Sequence, residues 1–334
     1  MKYTFPLTLL AFCAIIVSST RAYAQQQPFE DDKAIISMVF ENDMFGGTDQ
    51  NYTNGVRLAW LSSEENTPDW ARWSADHLLP LDAMGRKRIS LALGQNMYTP
   101  RDLSRRDLIT TDRPYAGWLY GSIGMVSDTG TTLDNVMLTI GVIGPYSYAR
   151  QTQTFVHRVV DSPKAQGWDN QLKTEPGIVL TLERKWRALY EFSPFGAGMD
   201  VTPHAGMNLG NVNTDASLGA TFRLGYDLPA DYGPPRIRPS LPGSDFFVPT
   251  QELGGYLFAG FEGRGVARNI FLDGNTFRDS PSVDKKILIG NLQAGAALTY
   301  GNTRLSYTHV LMSKEFDAQK RAEQFGALTL SWRF

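Results

Sequence analysis

Cysteine is all but absent: the only one is Cys13, close to the N-terminus. Everything after it therefore lacks disulfides, thiol nucleophiles and cysteine-ligated metal. Histidine is scarce too, with four in the chain: His77, His157, His204 and His309. None of them forms an H-x-x-x-H pair, which argues against a zinc cage. No G-x-S-x-G elbow exists, which removes the usual serine hydrolase. Charge of one sign is not concentrated anywhere. The 32 basic and 34 acidic residues are evenly mixed, which argues against a nucleic-acid partner. Beyond the N-terminal segment no apolar run reaches eighteen residues, so no helix is expected to anchor the chain.

The N-terminal segment has the layout of a secretory signal. Lys2 is basic, Leu9 to Val17 is apolar, and Ala22-Tyr23-Ala24 fits an A-x-A cleavage site before Gln25. Residues 1–24 are read as that signal and residues 25–334 as one exported domain. Glycine is abundant at 31 residues and aromatics make up 12%. An exported, cysteine-free, helix-poor chain of this kind is a periplasmic β protein or an outer-membrane barrel.

Period-two alternation decides between them. Strands are expected near 34–43, 54–63, 87–97, 115–127, 133–143, 177–190, 197–208, 213–226, 254–268, 286–299, 302–313 and 321–334. Twelve is an even number, as bacterial barrels require. In the last strand Leu328, Leu330, Trp332 and Phe334 share one face, while Ala327, Thr329, Ser331 and Arg333 share the other. Facing lipid on one side and a lumen on the other accounts for that pattern. A transmembrane antiparallel β-barrel of about twelve strands in the cell outer membrane, monomeric, is the expected fold. With both termini periplasmic, the connections 44–53, 98–114, 144–176, 269–285 and 314–320 share the extracellular rim. Residues 64–86 and the Pro-rich stretch 227–252 fall on the periplasmic side, the first carrying a short interfacial helix.

Polar residues gather on the extracellular rim. The stretch from Phe40 to Trp60 reads as strand, loop, strand, with Glu41, Asn42 and Asp43 at its mouth. Such residues serve equally as turn formers. The connection 144–176 loses the alternation, and Phe155, Val156, Val159 and Val160 fall at helical spacing. On that extracellular-loop helix Gln153 and His157 are four apart and share a face. His157 is either a solvated loop residue or a base, and it is the only histidine on that rim. Imidazole is general-base equipment near neutral pH. Asp43 and Asn42 are hard oxygen donors suited to Ca²⁺. A hydrolase built from these parts would activate water instead of a serine.

Several short motifs carry a resemblance. They are Asn42-Asp43, Tyr52-Thr53-Asn54-Gly55, Gln95 with Tyr98 before a proline, Asp112-Arg113, Gly141-Val142-Ile143-Gly144-Pro145, and Gln153 with His157-Arg158. In that order and spread, the sequence resembles the outer-membrane lipid A 3′-O-deacylases of the LpxR type. The resemblance implies a twelve-stranded barrel whose site lies between the barrel wall and an extracellular-loop helix. It further implies chemistry like that of secreted phospholipase A2, in which histidine activates water and Ca²⁺ stabilises the oxyanion. Asn42, Asp43, Thr53, Gln153 and His157 then take the site positions, with Asp43 and Asn42 at the metal. The chain departs from the pattern in a shorter loop between Asp43 and Thr53. It also has Pro163 where the pattern has a functional Glu, with Asp161 a nearby substitute. On an ideal strand, moreover, Asn42 and Asp43 would point to opposite faces.

Three functions are thus expected to compete. The first is a Ca²⁺-dependent esterase removing the 3′-linked acyl or acyloxyacyl group of lipid A in lipopolysaccharide. The second is an outer-membrane phospholipase. The third is a non-catalytic barrel acting as a pore or structural protein. The loop cations Arg101, Arg105, Arg106, Arg113 and Lys164 favour the first, as partners for lipid A phosphates, or are simply solvated.

Overall fold

The computed structural model describes residues 33–43, 51–159, 161–192, 197–234 and 244–334. The expected signal segment, residues 1–24, lies outside them, as do residues 44–50 of the first hairpin loop. The strands are β1 (Ile35–Asn42), β2 (Asn51–Leu61), β3 (Arg86–Thr99), β4 (Ala116–Asp128), β5 (Thr132–Ile143), β6 (Glu175–Trp186), β7 (Tyr190–Phe192) and β8 (Gly198–Gly210). They continue as β9 (Asn213–Tyr226), β10 (Ala230–Asp231), β11 (Phe247–Val248), β12 (Leu253–Asn269), β13 (Leu288–Tyr300), β14 (Thr303–Met312) and β15 (Glu323–Arg333). Three helices accompany them: α1 (Asp69–His77), α2 (Ala149–Val159) and α3 (Ile270–Asp273).

Twelve long strands form an antiparallel ring in which each pairs with its sequence neighbour. It closes where β1 pairs with β15, bringing Ile35 opposite Arg333, and β6 passes over the short β7 to pair with β8. Closure leaves no unpaired edge, which is what permits strands to cross a bilayer. All twelve expected strands are present. The reading of 177–190 as one strand was too long, because the backbone turns at Ala188 (φ 47°). The chain resumes as the three-residue β7 against β8. No helix among the described residues is long and apolar enough to cross a membrane.

Alternation along the strands separates two surfaces. On β15 the outward Leu328, Leu330 and Trp332 are exposed, while Thr329 and Ser331 are buried in the lumen. The lumen is filled. Toward the loop rim Tyr52, Tyr98, Trp118, Phe271 and Phe325 cluster, and Tyr98 stacks on Phe271 with ring centroids 4.0 Å apart. Toward the other rim the β10–β11 pair is tucked inside, where Asp231 accepts hydrogen bonds from Arg223, Arg304 and Tyr256. The Pro-rich stretch expected as a connection is therefore partly a plug. Phe246, Phe247 and Val248 of that stretch pack among Ile35, Leu61 and Leu133. As expected, the 64–86 segment carries a short helix. Ala71 and Ala75 of α1 pack on Ile89 and Met125, leaving Trp70 and Trp73 exposed, as suits an interfacial anchor.

Candidate functional site

Directly opposed residues on neighbouring strands project from the same face. At the loop rim the ladder runs Asn42–Asn54–Met97–Gly117 across β1, β2, β3 and β4. Four residues further down, on β2 and β3, the same parity belongs to the exposed Leu58 and Leu93. So this row points outward, yet Asn42, Asn54 and Met97 are all buried. Over β3 and β4 the outside of the barrel is covered here by the connection between β5 and β6.

That cover begins at Gly144, whose φ of 85° is a left-handed conformation favouring glycine. Its N–H donates to the Gly117 carbonyl at 3.0 Å, turning the chain back over β4. The Gln95 side chain on β3 donates to the Ser147 carbonyl at 2.6 Å. A Cβ on Gly117 would run into the Ser147 hydroxyl and the Ala149 methyl. Only glycine lets the start of α2 sit this close to the wall. Met97, Tyr115, Ala149 and Trp168 then form one buried cluster.

Ala149, Gln153 and His157 are the buried residues of α2, one turn apart. Phe155 and Val159 are exposed on the other side. The helix is thus inside-out by the standard of a soluble protein, with its polar face toward the barrel. The Trp168 indole N–H donates to Gln153 Oε1 at 2.6 Å. Indole can only donate, so this contact assigns the amide orientation. The Gln153 Nε2 group is left buried with no partner among the described residues, which makes it a donor available to a ligand. His157 Nδ1 lies 2.6 Å from the Pro163 carbonyl oxygen. A carbonyl only accepts, so Nδ1 carries a proton, and the lone pair of the neutral ring is then on Nε2. Ser162 N–H closes the helix on the His157 carbonyl at 2.8 Å, and Asp161 takes a left-handed turn (φ 54°). The partner of His157 Nδ1 is thus the Pro163 carbonyl, and the Asp161 side chain is exposed.

The other half of the constellation comes from the first hairpin. The strand β1 ends at Asn42, and Asp43 already has a helical-turn backbone. Strand parity accordingly places no constraint on Asp43. Asp43 is fully buried. On β2 the register slips between Tyr52 and Asn54, leaving Thr53 as the extra residue of a bulge. Its hydroxyl lies 2.7 Å from that of Thr99. Tyr52 and Glu41, by contrast, face the lumen, joined by a hydrogen bond of 2.8 Å. The ladder thus sets Asn42 and Thr53 at the loop-rim ends of β1 and β2, next to the β3–β4 stretch on which α2 packs. Carboxylate, amide and hydroxyl oxygens are all present there, a donor set that fits Ca²⁺ and contains no nitrogen or sulfur ligand. Among the described residues no group of three or more His, Cys, Asp or Glu could hold a metal by itself.

The loop cations separate into two kinds. Arg113 is buried and ion-paired with Glu315. Burial works against its charge, but Glu315 and Glu323 outweigh that and raise its pKa above the usual guanidinium value. It ties two loops together and is not free for a phosphate. Arg101 and Arg105, with Lys320 and Arg321, line an open cavity of about 580 Å³. Sequence reasoning gave no role to Trp168 or to the Pro163 carbonyl. The first has no motif signal, and the second is a backbone atom that no residue type announces.

The sequence model of the family described as outer membrane protein LpxR matches residues 9–334. Among solved structures, LpxR from Salmonella typhimurium superposes with a TM-score of 0.73 at 19% identity, over 90% of this chain and all 100% of that one. The beta domain of the Bordetella autotransporter BrkA gives a TM-score of 0.44 at 10% identity, covering 91% of this chain and 100% of its own. No curated protein matches the chain.

Proposed function

Since the chain belongs to the LpxR family of outer-membrane proteins, we propose that it is a Ca²⁺-dependent lipid A deacylase. It would hydrolyse the ester of the 3′-linked acyl or acyloxyacyl group with water activated by His157. The observation that carries this reading is the buried imidazole itself. The Pro163 carbonyl fixes its tautomer, and it sits on the helix that covers the outer row of the wall. A base on the outside of a barrel, at its loop rim, is placed for a substrate anchored in the surrounding leaflet. The loop rim then faces the medium and the termini face the periplasm.

In this reading His157 Nε2 takes a proton from water as its oxygen attacks the ester carbonyl. The imidazolium then returns that proton to the departing sugar oxygen, so charge balances over the cycle. The unpartnered Nε2 of Gln153 donates to a substrate oxygen and holds the ester against the wall. Trp168 keeps Gln153 turned the right way. Asp43, Asn42 and Thr53 would hold the ion. Bound there, Ca²⁺ supplies positive charge for the carbonyl oxygen, the part that backbone donors play in other hydrolases. An open pore does not suit a lumen filled at both ends.

Mass spectrometry of lipid A from cells producing the protein tests the reaction. The expected spectrum lacks the mass of the 3′-linked acyl or acyloxyacyl group, and cells producing His157→Asn keep it. Identical spectra from both would overturn the assignment, and loss of acyl groups from glycerophospholipid alone would make the protein a phospholipase. Chelation of the purified enzyme should abolish turnover and Ca²⁺ should restore it. Mg²⁺ should do so poorly, because it demands tight octahedral geometry. Full turnover in excess chelator would remove the metal from the proposal.

A further inference from the structure

The outward row that α2 covers has a continuation down the wall. Below it the registers bring Leu93, Gly121 and Ile140 side by side on β3, β4 and β5, and then Leu91, Ile123 and Leu138. These residues line an apolar groove of about 540 Å³ on the lipid-facing surface. Its upper rung lies four residues from Met97, roughly 13 Å along the strand, and its lower rung six residues away, roughly 20 Å. The groove exists because Gly121 interrupts a surface otherwise made of large side chains. Nothing in the fold demands glycine there. Its φ is not positive, and a Cβ would meet only the Ala92 carbonyl oxygen, at 3.9 Å.

A second groove, of about 690 Å³, lies on another part of the outer wall and takes in Gly225, Gly255 and Leu257. Size and apolarity therefore do not single out either one. Continuity does, because only the groove containing Gly121 runs down from the row beneath α2. Resting on the deacylase reading, we propose that this groove seats the acyl chain of the ester being cleaved, with Gly121 as the residue that sets the fit. An acyl chain gains little by moving from bilayer to an apolar wall, since lipid tails are equally apolar. What the groove supplies is direction. A chain lying in it holds its carbonyl end at the level of Gln153 and His157. A chain pushed off the wall presents the ester out of line, and small misplacements are costly to rate.

The test uses the purified full-length protein in detergent, with two synthetic glucosamine esters that differ only in carrying a myristoyl or a butyryl group. Gly121→Leu fills the dimple without a backbone clash. It should lower kcat/KM on the myristoyl ester about tenfold while leaving the butyryl ester, too short to reach the groove, unchanged. Gly263→Leu places the same side chain where a Cβ meets nothing, and should change neither. A long-to-short ratio equal to wild type in Gly121→Leu would overturn the groove, even with the deacylase reading intact. Wild type that cleaves neither ester would instead overturn the deacylase reading, and the groove with it. Should Gly121→Leu fail to insert, a myristoyl ester with a terminal diazirine can be bound to His157→Asn and photolysed. Label concentrated on peptides of β3, β4 and β5 is expected, and label spread evenly around the barrel would overturn the proposal.

Discussion

Glycines near the loop rim differ sharply between the two walls of this barrel. On β12 and β13, Gly263, Gly265 and Gly290 face outward, and a Cβ on any of them would meet nothing. On β4, Gly117 also faces outward, and a Cβ there would strike Ser147 and Ala149. The first wall keeps its alternation up to the rim, so its outer surface is a plain lipid contact. The second wall breaks the alternation with Asn42, Asn54 and Met97, polar or buried where parity calls for exposed and apolar. The covered stretch is thus made by laying one helix over a few residues of ordinary barrel exterior on β3 and β4.

The two sides of α2 repeat the lesson. Facing the wall are Gln153 and His157; facing away are Phe155 and Val159. In water that arrangement would bury polarity and expose apolar surface, against the usual stripe. Beside a bilayer the outward apolar side is in its natural solvent. The polar groups can then be shielded from water and held by Trp168 and Pro163.

If the covered wall is the reactive one, substitutions there and on the bare wall should differ most at the base. His157→Asn should lower turnover by roughly two to four orders of magnitude, the range for losing a general base. His309→Asn, on β14, should leave it near wild type. Heat-dependent gel mobility would verify folding of both, and near-native turnover by His157→Asn would end the water-activation scheme. Next comes Gly117→Val, which wedges α2 away from β4. Turnover should fall by about a hundredfold with the barrel intact, as a displaced catalytic group costs. Gly263→Val should be silent. Equal effects from the two would mean that α2 does not need its close approach.

The strands were readable because a barrel in lipid enforces period two over ten or more residues, and all twelve segments between 34 and 334 are strands. The helix was readable from Phe155, Val156 and Val159, and the shared face of Gln153 and His157 followed from their spacing. What spacing could not convey is which side that face would meet. Asn42 and Asp43 fall where β1 ends, so parity stops being a guide between them, and strand ends are the least legible feature of a sequence. The plug formed by Phe246 to Val248 was read as a loop. Its contacts lie with Ile35, Leu61 and Leu133, far away in the chain and invisible to local pattern.

Trp168→Phe asks how far the covered site depends on its support. The ring is kept, so the packing against Tyr115 survives, but Gln153 Oε1 loses its donor and is left buried. An unsatisfied buried acceptor costs about 1–3 kcal/mol. That strain is expected to let the Gln153 side chain turn, lowering kcat about tenfold with little change in barrel stability. Gln153→Ala, which removes the amide altogether, should give a similar loss, and the double variant should be no worse than either alone. Additive losses would show that Trp168 acts on something other than Gln153.

The smallest effects are expected at Pro163 and Asp161, and they discriminate between two ways of orienting His157. If the imidazole is oriented by the Pro163 carbonyl, no side chain near it carries that task. Pro163→Ala keeps the carbonyl and loses only the rigidity of the ring, a change worth about 0.4–1 kcal/mol. Turnover should therefore drop no more than about fivefold. Asp161→Asn keeps a residue that tolerates the left-handed turn and removes the carboxylate. It should be almost neutral. A carboxylate-oriented base would behave otherwise, because removing the charge that stabilises the imidazolium costs several orders of magnitude in triad enzymes. A hundredfold loss in Asp161→Asn, with Pro163→Ala near wild type, would therefore transfer the orienting role from backbone to side chain.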